Sequence, residues 1–155
     1  MKISVFFFVI VFLYLAQVNS NEIIHGKVIH IADGDTVNIK VMNEEQRIRL
    51  AEIDAPEAKQ VWGAESIKAL KSKILNEFVT IQVIDTDRYG RKVAVIFFND
   101  VNINSQMVAE GHAWVYREYS TSSFLLELER IAQEKNIGLW GFENPIPPWS
   151  WRQKN

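Results

Sequence analysis

The sequence predicts an α+β fold, a small closed antiparallel β-barrel of the OB type with one inserted helix and two helices after it. Three observations carry that expectation. Five short segments alternate apolar and polar residues, one helical pattern separates the third from the fourth, and a chain this short gains from closing its sheet edges. The period-two segments rich in β-branched residues fall at 23–31, 36–41, 47–53, 79–84 and 93–98. Between the third and fourth, Ala64, Ile67, Leu70 and Ile74 share one helical face, with Lys68, Lys71 and Lys73 on the wet side. Two further helical patterns run over 103–110, ending at Gly111, and over 123–135, ending before Gly138, where glycine suits a C-terminal cap.

Residues 1–20 stand apart from this domain. Met1-Lys2 precedes an apolar run of 14 residues from Ile3 to Ala16, broken only by Ser4. The run fits a signal-peptide core better than a membrane span of about 20 residues. Val18 and Ser20 are small residues placed for cleavage after Ser20, so export is expected, to a periplasm or as full secretion, with no stable membrane association after cleavage. The alternative is an uncleaved anchor, separable by mass spectrometry of the mature N-terminus. One domain is expected over 21–155, without repeats, low-complexity tracts or Gly/Ser linkers.

With 48% apolar and 23% charged residues, four prolines and seven glycines in 155, the composition excludes disordered and collagen-like chains. The absence of cysteine excludes disulfides, thiolate zinc sites, iron–sulfur clusters and cysteine nucleophiles. Removing Lys2 lowers the basic total from 17 to 16 against 19 acids, a formal charge of about −3 for the mature chain, so this is no basic nucleic-acid glove. Residues 46–92 nevertheless hold nine Lys or Arg against seven Asp or Glu, which leaves a local phosphate site open.

The chemistry gathers in three stretches. In Asp33-Gly34-Asp35-Thr36, Gly34 permits a sharp bend that would set the Asp35 carboxylate at a fixed point where a cation could sit; the plainer reading is an Asp-Gly turn. A calcium-loop motif fails on spacing, because Val37 stands where an oxygen ligand is needed. In the second stretch, 47–57, alternation puts Arg47, Arg49 and Ala51 on one side of a strand and Ile48, Leu50 and Glu52 on the other. Pro56 fixes the turn between Asp54 and Glu57, so two acids and Arg49 can converge at the strand's end. The plainer reading is a surface ion pair worth about 0–1 kcal/mol. In the third, 85–92, Gly90 suits a positive-φ hairpin position, while Arg88 and Arg91 beside Tyr89 offer planar donor forks to phosphate.

In order, spacing and residue type, Asp-Gly-Asp-Thr at 33–36, Arg49 followed by Asp54-Ala55-Pro56-Glu57, and Asp87-Arg88-Tyr89-Gly90-Arg91 together resemble the thermonuclease, or staphylococcal-nuclease-like, family of the exported bacterial type. The resemblance covers nearly all of the mature chain. It implies an OB barrel with helices and calcium-dependent endonucleolytic cleavage of DNA and RNA, leaving 3′-phosphates and 5′-hydroxyls. Position by position it implies calcium ligation by the carboxylates of Asp35 and Asp54 and the carbonyl of Ala55, a hard-oxygen set suited to that ion. It implies that Glu57 activates or orients the attacking water, and that Arg49 and Arg91 bind the scissile phosphate and stabilise its transition state. Arg88 and Tyr89 fall at substrate-contact positions, and Tyr119 is a candidate for stacking on a base.

Ala55 stands where the best-known member has a hydroxyl residue, a change that a carbonyl ligand survives. The helical pattern resuming by Gly63 leaves little room for the long mobile loop that member has after Glu57. The tail Pro145-Ile146-Pro147-Pro148-Trp149-Ser150-Trp151-Arg152 looks like the ending of exported bacterial members. Its tryptophans, like Trp62, Trp114 and Trp140, are expected to pack on the barrel, with stacking on single-stranded bases as the sharper alternative. His25, His30 and His112 lack short metal-ligand spacing and read as structural. Two classes of function remain: an exported nuclease, and a catalytically inactive OB-fold module that only binds nucleic acid or protein. A binding module has no need of Asp35, Asp54, Glu57, Arg49 and Arg91 together, which favours the enzyme. Monomer is the default for so small a barrel.

Overall fold

A computed structural model describes residues 22–154; the expected signal segment, 1–20, lies outside the described residues. The chain runs β1 (Glu22–Asp33), β2 (Thr36–Val41), β3 (Glu44–Leu50), β4 (Ile53–Asp54), α1 (Gly63–Ile74), β5 (Phe78–Thr86), β6 (Lys92–Phe98), β7 (Val101–Asn102), α2 (Ile103–Ala109), β8 (Trp114–Val115), α3 (Ser123–Glu134), a 3-10 turn (Gly138–Gly141) and α4 (Pro148–Lys154).

The sheet order is β3-β2-β1-β5-β6-β7, and β3 also pairs with β6 in parallel, closing a five-stranded barrel. The 12-residue β1 makes closure possible by serving two neighbours: Glu22–Lys27 pair with β5 and Lys27–Asp33 with β2. Register shifts after Val28 and Ile31 bend it between them, as bulges do at barrel corners. Alternation sends Val28, Ile39, Ile48, Leu50, Ile81 and Ile96 into a fully buried core. Leu70 and Ile74 of α1 seal one end, with Met107 and Val108 of α2 and Leu125 of α3 continuing the same cluster.

The expected third strand overruns the observed one. β3 stops at Leu50, because Glu52 takes a left-handed φ of 64° and turns the chain. Ile53 and Asp54 then form β4 and pair with Val115 and Trp114 of β8, while Tyr116 N–H donates to the Glu52 carbonyl at 2.8 Å. Alternation alone cannot announce that turn, since Ala51 and Ile53 are both buried on either side of it.

Asn104, 2% exposed, ties α2 to the barrel. Its Nδ2 donates to the carbonyls of Ala51 (3.0 Å) and Ala94 (3.1 Å), and its Oδ1 accepts from Ile96 N–H (3.1 Å). Asn104→Ala removes all three hydrogen bonds, with the Ala94 carbonyl keeping only its bond from Ala51 N–H, so a loss of about 1–3 kcal/mol in urea unfolding is expected; unchanged stability would mean that water replaces the amide there.

Candidate active site

Two glycines set the geometry by close approach. Gly34 makes the expected sharp bend, a two-residue turn between Asp33 and Thr36, without a left-handed φ; what requires glycine there is space, since a Cβ would lie 2.7 Å from Ala55 Cβ and 2.8 Å from Ser66 Cβ. Its absence lets the turn before β2 pack on the segment after β4, where Ala55 N–H donates to Asp35 Oδ2 at 2.7 Å. A Cβ on Gly63 would meet the Glu57 carbonyl at 1.9 Å. Residues 57–63 are accordingly a tight turn, with Gln60 N–H on the Glu57 carbonyl (2.8 Å) and Gly63 N–H on that of Gln60 (3.0 Å). The short connection expected after Glu57 takes this form.

Asp35, Arg49, Asp54 and Glu57 come together. Arg49 Nη2 lies 3.2 Å from both Asp35 Oδ2 and Asp54 Oδ1, and its Nη1 donates to the Leu50 carbonyl at 2.7 Å. The ion pair expected of Arg49 thus spans Asp35 and Asp54, and with side chains 13%, 8% and 2% exposed it is no loose surface pair. Asp35 Oδ1 also accepts from Thr36 Oγ1 at 3.1 Å.

A second guanidinium, missed by the sequence reading, completes the cluster. Arg152 of α4 donates through Nη2 to Asp54 Oδ2 (2.8 Å) and through Nη1 to Asp54 Oδ1 (3.2 Å) and Glu57 Oε1 (2.8 Å). Nothing local marks Arg152, which is 98 residues from Asp54 in sequence; the only signal is a basic residue ending a Pro/Trp-rich tail. The tail is held by aromatics, as expected. Trp149 stacks on Tyr116 (5.5 Å between centroids, planes 3° apart) and meets Trp114 edge-on, while Gln60 Nε2 donates to the Ile146 carbonyl at 2.6 Å.

The hairpin between β5 and β6 holds Arg88, Tyr89 and Arg91. Asp87 organises it, accepting from the N–H groups of Tyr89 (2.9 Å) and Arg91 (3.0 Å) and from Arg91 Nε (2.7 Å). Both guanidinium carbons lie over the exposed Tyr89 ring, at 5.3 Å for Arg88 and 5.6 Å for Arg91. Arg91 is thus held by Asp87 within its own hairpin rather than by Asp35, Asp54 or Glu57; it immediately precedes β6, where Val93 pairs with Arg49. Tyr119 is 65% exposed and sits edge-on to Tyr116, 4.8 Å between centroids. His25 meets Thr80 Oγ1 and His112 meets the Trp62 indole N–H, both structural contacts.

Burial dominates the electrostatics of the cluster. Burial pushes the Asp54 carboxyl above its ordinary range; the Arg152 hydrogen bonds oppose that, Asp35 adds to it, and the charges of Arg49 and Arg152 oppose it. Asp33 is pushed up to about 7, first by burial and then by the neighbouring Asp35 charge. Among the described residues no three His, Asp or Glu side chains form a ready-made metal cage. Two buried carboxylates that already share one cationic nitrogen are nevertheless a donor set that fits a hard divalent cation, completed by backbone oxygen and water.

A carboxyl group with a pKa near 3.8 unfolded and about 7 folded binds more protons in the folded state between those values. Stability therefore falls as pH rises from about 4 to 7 and levels off above it. Denaturation in chelator should show that decline for the native sequence and a flatter profile for Asp33→Asn; identical profiles would remove Asp33 as its source.

The comparisons with known proteins agree with this geometry. The family model described as staphylococcal nuclease homologue matches residues 47–141. An uncharacterized endonuclease of Escherichia coli O157:H7 is 41% identical over 132 residues, covering 84% of this chain and 86% of the relative. One from Haemophilus influenzae is 41% identical over 129 residues, covering 83% and 72%. A micrococcal nuclease of Shigella flexneri is 37% identical over 139 residues, covering 83% and 80%. The family match spans more than half of the chain, these relatives align over most of it, and the barrel is the expected one: the chain belongs to the staphylococcal nuclease homologue family, a family of nucleases.

Proposed function

We propose that the protein is an exported, monomeric, calcium-dependent endonuclease that hydrolyses phosphodiester bonds of DNA and RNA by in-line attack of water, leaving 3′-phosphates and 5′-hydroxyls. The observation that carries this reading is the convergence of Asp35, Asp54 and Glu57 around Arg49 and Arg152 at one end of the barrel. Asp35 and Asp54, with the Ala55 carbonyl, would hold the cation. Bound there, calcium supplies charge that favours the extra negative charge of a phosphate under attack.

The remaining roles belong to the chain's own groups. Glu57, with its side chain 34% exposed, would take a proton from water entering from solvent. Arg49 is held beside the carboxylates and offers fixed positive charge to the scissile phosphate, which costs no solvent reorganisation during the reaction. Arg91 would enter from the hairpin before β6 as the second phosphate ligand, releasing Asp87 to do so. Arg88, Tyr89 and Tyr119 offer a donor fork and two exposed rings to the flanking nucleotides. Export rests on the apolar run before residue 17; no helix of the described residues is long and apolar enough to cross a membrane.

Nicking of supercoiled plasmid by residues 21–155, in calcium against excess chelator, tests the reading, with Arg91→Ala as the paired control. Calcium-dependent cleavage that disappears in the variant supports it. Folded protein that binds single strands without cutting would favour the inactive OB-fold module.

A further inference from the structure

Arg152 holds a place that a metal-binding site does not leave to a structural arginine without consequence. It engages both oxygens of Asp54, a carboxylate 1% exposed, and reaches Glu57 Oε1 with the same Nη1. Each oxygen it touches on Asp54 is one that a cation on that carboxylate would have to share or take. Its own side chain is 40% exposed, so it can leave without breaking the core. It also lines an open groove of about 540 Å³ with Tyr116, Arg117, Glu118, Trp149 and Gln153. The segment carrying it is a seven-residue helix at the end of the chain, moored by the Trp149 stack and the Gln60 contact.

We propose that Arg152 stands in for the divalent cation on the Asp54 carboxylate in the metal-free protein, with Glu57 as its second anchor, and that cation binding hands its guanidinium over to the substrate phosphate. The charge balance gives the reason. Asp35, Asp54 and Glu57 carry −3, which Arg49 and Arg152 offset only to −1; with a divalent cation the sum becomes +1, a balance that attracts a singly charged phosphodiester. In the metal-free state Arg152 keeps two acids from repelling each other across a site with too little positive charge. In the loaded state the same arginine is surplus to the carboxylates and becomes a phosphate ligand, one that can fork to two oxygens. This rests on Asp35 and Asp54 being the metal-binding pair.

The test is calcium titration by calorimetry of chelator-stripped full-length protein, with Arg152→Gln and Arg152→Lys. Arg152→Gln should bind calcium about three- to tenfold more tightly, the scale of a partly exposed charge-assisted pair, and Arg152→Lys should stay near the native value. Hydrogen exchange over residues 148–154 should quicken when calcium is added to the native protein. At saturating calcium, KM for a DNA oligonucleotide should rise several-fold in Arg152→Gln, on the same scale. Equal calcium affinity in the native protein and Arg152→Gln would overturn the proposal and leave Arg152 a structural clamp. Tighter calcium binding with unchanged KM would overturn the handover to phosphate. No calcium binding in any of the three would overturn the metal reading itself, a failure distinct from the other two.

Discussion

Glu57→Gln should lower turnover by about 10²–10⁴-fold, the range supplied by a positioned general base, while calcium-dependent binding of substrate persists. The amide keeps the size of the side chain and an oxygen that can still accept from Arg152 Nη1, as Glu57 Oε1 does at 2.8 Å. The turn that aims residue 57 depends on its backbone: the Glu57 carbonyl accepts from Gln60 N–H, and Glu57 N–H donates to Gln60 Oε1 at 3.1 Å. The substitution therefore keeps the shape and the turn while it removes proton acceptance together with the charge paired to Arg152. Single-turnover cleavage of a labelled oligonucleotide, alongside anisotropy binding in calcium, separates chemistry from affinity. A cleavage rate equal to that of the native protein would take the base role from Glu57.

Arg49→Ala should cost about 3–5 kcal/mol of stability in the metal-free protein, because it removes one partner of a buried charge cluster. Asp35 and Asp54 are 6% and 1% exposed, and Arg49 Nη2 is the nitrogen they share. The cost should shrink when calcium is added, since a cation between the carboxylates restores the balance. Activity should stay low even then, because the fixed charge at the phosphate is gone. Urea unfolding in chelator and in calcium measures the first pair of effects. Equal stability of variant and native protein in chelator would show that Arg49 does not balance the two acids. Calcium without effect on the variant would show that the pair is no cation site.

The strands were readable because burial in a closed barrel alternates residue by residue, and β2 runs from Thr36 to Val41 as expected. The helices were readable where an apolar stripe meets the barrel, as with Leu70 and Ile74. Glu52 marks where that signal fails. Its left-handed turn is held by Ser120 Oγ on Glu52 Oε1 (2.8 Å) and by Tyr116 N–H on its carbonyl, contacts made by residues more than sixty positions away. Helix α4 escaped the same reading because seven residues opening on proline and carrying two tryptophans present no helical stripe.

The sequence by itself determined the barrel, the family resemblance, and the convergence of Asp54, Glu57 and Arg49, because those residues lie within nine positions of one another on one strand and its following turn. It also marked Asp35, whose turn joins directly to the strand paired with that one. The tertiary structure decided how the charges are shared. Arg49 bridges Asp35 and Asp54, Arg91 rests on Asp87, and Arg152 arrives from the far end of the chain to hold Asp54 and Glu57. Local periodicity reports which face of an element is buried; only closure of the whole chain determines which distant cation meets a buried acid, since that partner is chosen by distance in space.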